Sequence, residues 1–373
     1  CVKSNKIFQT NCLSPLNNIG VCNSASLFIR EPLALSSKII SNTLYAASYL
    51  SFLFLGFLSK NNSLYTAAIA FAFSLFPLII YSNAFVFNGF EIDILTYAIE
   101  MQATSFDVYY LREFVFWFGL RIVYYFTQSD IFSFLILDFF WIYLTFKITS
   151  KEHTKRLGQG LIIVLATSFP FFFGYENIYR QFYAMVVSLY AYSILTIKTN
   201  KAVFLFVISV FIHNLSLFLV PLFVIRKFYS FSIKDKVIIS SFIASIYIII
   251  LPYIMSFKDA DPTEIDLSYL YLFLFIGLFI FYIYKFKDNV FRFISVTPSL
   301  LPIVLLISGF VLHNQEMIAE RLSMMFIPFL IYDLYVFSNS MTNSINRRVL
   351  RLTLILIFTI PVFWFSSSMI FLS

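Results

Sequence analysis

The chain has 373 residues, 60% of them apolar and only 12% charged, with 50 Phe and 24 Tyr against 9 Gly and 11 Pro. An average soluble domain carries about 25% charged residues, so this chain cannot cover a globular core with polar surface, and neither a soluble enzyme nor a disordered tail fits it. The formal net charge of +7 arises from 26 basic and 19 acidic residues; the bases cluster in short connections between apolar runs, as on the cytoplasmic side of a membrane protein, and no nucleic-acid surface is implied.

Residues 1–38 read as a polar N-terminal tail outside the fold, and position 1 is Cys instead of Met, so the native start is expected elsewhere. All three cysteines, Cys1, Cys12 and Cys22, fall in that tail, which leaves no thiol for a zinc site in the body and no convincing disulfide framework. Residues 39–373 read as a single transmembrane helical domain. A span needs about 20 apolar residues, each rising about 1.5 Å through a hydrocarbon core of about 30 Å. Such runs lie near 39–58, 64–88, 111–127, 131–149, 158–175, 180–198, 202–225, 237–256, 268–286, 290–312, 320–338 and 349–372. These about 11–12 hydrophobic segments predict an all-α, polytopic bundle, because a barrel requires short alternating strands that the runs do not show.

The connections sort by charge. Basic clusters occupy Lys147–Arg156, Lys198–Lys201, Arg226–Lys236, Lys285–Arg292 and Arg347–Arg351, and are expected on the cytoplasmic side. Acidic residues gather in a stretch at about 89–111, expected to be an extracytoplasmic loop, and again at Glu176, at Asp259–Asp266 and at Glu316–Glu320. Two features disturb a simple alternation. A single apolar run separates Lys198–Lys201 from Arg226–Lys236, and a helix broken near His213–Asn214 that dips in and returns would put both clusters on one side. The run at 111–127 carries Glu113 and Arg121, and either spans or lies along an interface.

Ionisable groups inside apolar runs cost about 2.5–3.5 kcal/mol on insertion scales, so each calls for a partner or a function. Arg180 opens a helix four residues after Glu176, a spacing that suits either an interfacial ion pair or a guanidinium presented to phosphate. His213, beside Asn214, sits in the middle of FLFVISVFIHNLSLFLVPLF, as a hydrogen-bonded bundle residue or as a proton acceptor lining a cavity. Glu320 and Arg321 begin the eleventh run, and Asp93 and Tyr97 share one helical face if their stretch is helical. Asp138 and Asp333, alone in apolar runs, suit core partners for a basic residue. The triplet at Asp259–Asp261 lacks any supporting motif, so no metal is expected. Phosphate-loop, HExxH and GxSxG motifs are missing.

Taken in order, the polar elements are D-x-x-x-Y at Asp93 and Tyr97, E-x-x-F at Glu113, R-Q-x-x-A at Arg180 and Ala184, I-H-N-x-S at His213 and Ser216, and E-R-L at Glu320 and Arg321. Over about residues 40–370 this series resembles the EpsG-like group of polysaccharide polymerases, which includes many Wzy-type O-antigen polymerases. That family pattern often adds a Gly before the Asp, matched by Gly89, and an Arg in the preceding helix, which is absent here. The resemblance implies a GT-C-like, metal-independent membrane glycosyltransferase of the bacterial inner membrane, multi-pass, with its site facing the periplasm. It implies transfer of a growing glycan from undecaprenyl diphosphate to the next lipid-linked repeat unit, with no cofactor and no nucleic acid. The partners it implies are the lipid-linked oligosaccharide, the bilayer, and a chain-length regulator and flippase of the same pathway.

That chemistry assigns Arg180 and Arg321 to the diphosphate, where negative charge grows as the glycosidic carbon departs. His213, Glu113 or Asp93 is assigned to the proton of the attacking hydroxyl, with Tyr97, Glu176, Glu320 and Asn214 in support. Two other functions suit a similar composition: a flippase or exporter of lipid-linked oligosaccharide, and a membrane acyltransferase acting on surface glycans. A flippase should spread cations through mid-helix positions, and an acyltransferase should carry an early buried His; neither pattern is evident here.

Overall fold

A computed structural model of the chain describes residues 93–103, 108–149, 160–171, 174, 178–227, 267–285 and 297–364, with scattered positions between 232 and 249. The tail at 1–38, the runs at 39–58 and 64–88, Glu176 and Asp259–Asp261 lie outside the described residues. Among the described residues all regular structure is helical and there is no strand.

Asp93–Gln102 forms α1, inside the stretch expected as a loop, followed by a 3₁₀ turn at Val108–Glu113 (η1) and α2 at Phe114–Thr127. Next come α3 (Asp130–Thr149), α4 (Gly160–Thr167), α5 (Tyr179–Ile194) and α6 (Thr199–Ile212). A second 3₁₀ turn, η2 (Asn214–Leu219), leads to α7 (Val220–Lys227). The chain closes with α8 (Leu267–Lys285), α9 (Leu300–Leu312), α10 (Glu316–Ser340) and α11 (Ser344–Trp364). Within α10, Glu316–Asn339 is long and apolar enough to cross a membrane, while Thr199–Ile212, Ser268–Tyr284 and Leu300–Leu312 are shorter apolar helices.

Two helices set the frame. Nearly every side chain of α5 is buried, and α10 runs beside it in the same direction. Gln181 Nε2 donates to the Arg321 carbonyl at 2.7 Å near the start of both, and Tyr192 donates to Asp333 Oδ2 at 2.9 Å near the end of both. The advance from 181 to 192 matches that from 321 to 333, a rise of about 17 Å at 1.5 Å per residue. α3 packs against the first half of α5, with Tyr183 donating to the Leu137 carbonyl and Trp141 edge-on to Phe182 at 5.0 Å.

The helix expected to break near His213 does so. α6 runs back against α5 and stops where His213 turns extended (φ −154°, ψ 125°). Then η2 and α7 return the chain, and Lys227 Nζ donates to Thr199 Oγ1 at 2.8 Å. Both basic clusters therefore meet at one end, where Arg351 of α11 also donates to Ser338. Pro221, near the start of α7, is tolerated because the first-turn N–H groups have no intrahelical partner.

α2 begins and ends at the other end of the bundle. Glu113, at its start, meets Arg180 at the head of α5. Its far end closes on Gln128, left-handed at φ 49° with its N–H donating to Tyr124, and α3 then starts with Phe134 packed on Tyr179. The run at 111–127 thus lies across this end instead of traversing the bundle.

The interior is mainly apolar, and much of the outer surface is apolar too. Large apolar side chains face outward on α2, α3, α6, α8 and α11, with Phe126 79%, Phe273 70% and Phe204 64% exposed. A few charged groups are buried. Arg226 pairs with Asp333 at 3.0 Å, its guanidinium lies 4.1 Å over the Tyr192 ring, and Asp333 also accepts from the Ser299 N–H at 3.0 Å. Asp333 has the basic partner expected of it. Asp138 differs: Trp141 Nε1 and the Tyr179 hydroxyl both donate to its Oδ1, at 2.7 and 2.8 Å.

Candidate functional site

The site lies where the head of α5, the end of α6, η1 and the second turn of α10 converge. Arg180 is the second residue of α5, and the helix start aims it outward toward α1 and η1. Its Nη1 meets Glu113 Oε2 at 2.5 Å and its Nε donates to the Tyr97 hydroxyl at 3.1 Å. The guanidinium plane is also backed by aromatic faces, 5.1 Å from the Trp117 ring centroid and 5.5 Å from that of Tyr97. Such a planar cation is held in orientation by two acceptors and by aromatic faces. The Arg180 side chain is 20% exposed, so the charge reaches the surface of the bundle end.

Glu113 ends η1 and caps α2, at the bundle end and outside the helices that run its length. Its second oxygen lies 3.7 Å from His213 Nδ1, and the Asn214 backbone N–H donates to the carboxylate. Burial pushes the Glu113 carboxyl above its ordinary value; the Arg180 guanidinium, the Asn214 N–H and the Arg112 guanidinium pull it back without cancelling that effect. A carboxyl whose affinity for a proton is raised in this way suits a proton acceptor better than an ordinary glutamate.

His213 sits at the junction of α6 and η2. Its Nδ1 accepts from the Leu215 N–H at 3.2 Å, which caps η2. In that hydrogen bond Nδ1 is the acceptor, and 3.7 Å separates the same nitrogen from Glu113 Oε1, so the imidazole and the carboxylate share one corner of the site. Asn214 contributes its backbone N–H.

Arg321 stands on the second turn of α10, exposed, with its carbonyl tied to Gln181, the neighbour of Arg180. Two helices thus bring two guanidinium-bearing positions to one end. Glu320 takes another side of α10, within electrostatic reach of the buried Tyr271 hydroxyl. Asp93 is the first residue of α1, one turn ahead of Tyr97. Glu176, the partner expected for Arg180, lies outside the described residues, and Glu113 forms an ion pair with Arg180 from 67 positions away.

Sequence reasoning missed Gln181, which lies in the RQ pair but shows no charge. Two buried polar atoms at this end, Gln181 Oε1 and Ser216 Oγ, have no hydrogen-bond partner among the described residues. Each such atom costs about 1–3 kcal/mol when left unsatisfied, so both favour a polar ligand here. The Tyr97, Phe116 and Trp117 rings are buried edge-to-face against one another and support Arg180 from behind. Among the described residues no group of three or more His, Cys, Asp or Glu is arranged to hold a metal ion.

No family model, no curated protein and no solved structure matches the chain.

Proposed function

We propose that the chain is a polytopic membrane glycosyltransferase that polymerises lipid-linked oligosaccharide repeat units into O-antigen or a related surface polysaccharide. The observation that carries this reading is the Arg180–Glu113 pair, backed by Tyr97 and Trp117 and adjoined by Arg321, at one end of a helical body whose outside is apolar. Outward-facing Phe, Ile and Leu around buried ion pairs suit a lipid solvent, in which backbone polar groups must be satisfied within helices. The bases gathered at the opposite end favour placing that end in the cytoplasm and the site on the periplasmic side.

The chemistry follows from charge. Undecaprenyl diphosphate leaves the anomeric carbon of the growing glycan, and Arg180 and Arg321 stabilise the negative charge as it develops. Glu113 takes the proton of the attacking hydroxyl on the next lipid-linked unit. Gln181 and Ser216 offer hydrogen bonds to sugar hydroxyls. No step draws on a nucleotide sugar.

The test is deletion of the gene in its bacterium and complementation, with lipopolysaccharide separated on a gel. Wild type should restore a ladder, while well-expressed Arg180→Ala and Arg321→Ala should leave a single repeat on the lipid core. Core lipid without any repeat in the deletion strain would instead indicate export, and an unchanged ladder in that strain would remove the polymerase reading altogether.

A further inference from the structure

Arg180 and Glu113 neutralise one another as the site stands, yet the proposed reaction needs the cation on a phosphate and the carboxylate on a hydroxyl. Both cannot be met while the 2.5 Å pair persists. Each partner has anchors besides the other. Glu113 is also held from the η2 side, by the Asn214 N–H, with His213 Nδ1 3.7 Å from its second oxygen. Arg180 is held as well, by the Tyr97 hydroxyl and the Trp117 face, but 20% of its side chain is exposed, so an anion arriving from outside reaches the guanidinium before it reaches Glu113.

We propose that the Arg180–Glu113 ion pair is an exchange latch: a diphosphate replaces Glu113 on the Arg180 guanidinium, and the freed Glu113 carboxylate becomes the base for the acceptor hydroxyl. This rests on the polymerase reading and specifies how its site is switched on. Guanidinium–carboxylate and guanidinium–phosphate pairs use the same fork of N–H donors, so the diphosphate competes for the same face of Arg180.

When Arg180 leaves, the nearest positive charge is lost from Glu113 and an anion arrives, and both changes make the carboxylate more basic. The hydroxyl proton then passes to Glu113 as the acceptor oxygen bonds to the anomeric carbon. The bond from that carbon to the phosphate oxygen breaks, and its electron pair stays on the lipid diphosphate, against Arg180 and Arg321. Without a donor in place Glu113 remains paired, so water is not activated in the empty site and hydrolysis of stray glycan is suppressed.

Inorganic pyrophosphate, in metal-free buffer, is the probe. Its binding to the full chain in detergent is measured by calorimetry for wild type, Arg180→Ala and Glu113→Gln. In parallel, labelling of Glu113 by a hydrophobic carbodiimide is followed by mass spectrometry with and without pyrophosphate. The latch predicts that Arg180→Ala loses binding, that Glu113→Gln binds on the order of tenfold tighter than wild type because the competitor is gone, and that pyrophosphate increases labelling of wild-type Glu113. The labelling arm uses wild type alone, so it decides even if Glu113→Gln fails to fold. Binding lost in Arg180→Ala with Glu113→Gln no tighter than wild type, or labelling unchanged by pyrophosphate, would overturn the latch and leave the diphosphate site standing. Binding indifferent to Arg180→Ala would overturn the diphosphate site itself.

Discussion

Glu113 and His213 lie 3.7 Å apart and hold different partners. The imidazole spends its Nδ1 lone pair on the Leu215 N–H, while the carboxylate keeps lone pairs for a proton and for Arg180. Loss of a 3₁₀ or helix cap costs about 0.5–2 kcal/mol of stability, whereas loss of a general base costs about 10²–10⁴ in rate. His213→Ala should therefore lower thermal stability and reduce elongation only modestly, and Glu113→Gln should stop elongation with little loss of stability. Because burial raises the Glu113 carboxyl above its ordinary value, the acid limb of kcat/KM, which reports the free enzyme, should lie above the ordinary glutamate range. Activity should fall as pH drops through that limb and Glu113 takes up its proton. An acid limb that persisted in a residually active Glu113→Gln, or that vanished in His213→Ala, would assign the base to the histidine.

At the scale of elements, the register of α5 against α10 sets the separation of Arg180 from Arg321. A second buried cluster fixes that register about 17 Å from the site by the helix rise, where Arg226 of α7 meets Asp333 of α10 and both meet Tyr192 of α5. Breaking one side of a buried ion pair leaves an uncompensated charge and costs about 3–5 kcal/mol, while replacing both by apolar side chains is often neutral. Arg226→Ala should lower the thermal unfolding midpoint strongly, and Arg226→Met with Asp333→Leu should recover most of it. A double substitution as damaging as the single would show that the hydrogen bonds to Tyr192 and Ser299, and not the charge pair, hold these helices. Legibility differs between such elements. The break at His213 was readable because two basic loops had to share one side, a constraint written in the sequence. The lie of α2 was not fixed by its apolar composition, which suits a span or an interfacial helix alike; the contacts at Glu113 and Phe134 decide it.

For the whole molecule, composition already demands helices, and the described residues are helical without strands. The candidate site was legible as a set of charged residues in unexpected places, but not as pairs. Arg180 has a carboxylate four positions away in Glu176, the usual one-turn spacing, which lies outside the described residues, and among the described residues it also pairs with Glu113, brought from a distant segment. Asp333 and Arg226 were likewise each visible and joined only by tertiary packing, which one-dimensional spacing does not encode. The account stands on one claim, that Arg180 and Glu113 together elongate a lipid-linked glycan. Its most direct test is elongation by the purified chain in liposomes supplied with undecaprenyl-diphosphate-linked repeat units, reading product length for wild type, Glu113→Gln and Arg180→Ala. The account predicts chains of many repeats from wild type and unextended units from both variants. Long chains from either variant, or none from wild type under conditions where it is folded, would contradict it.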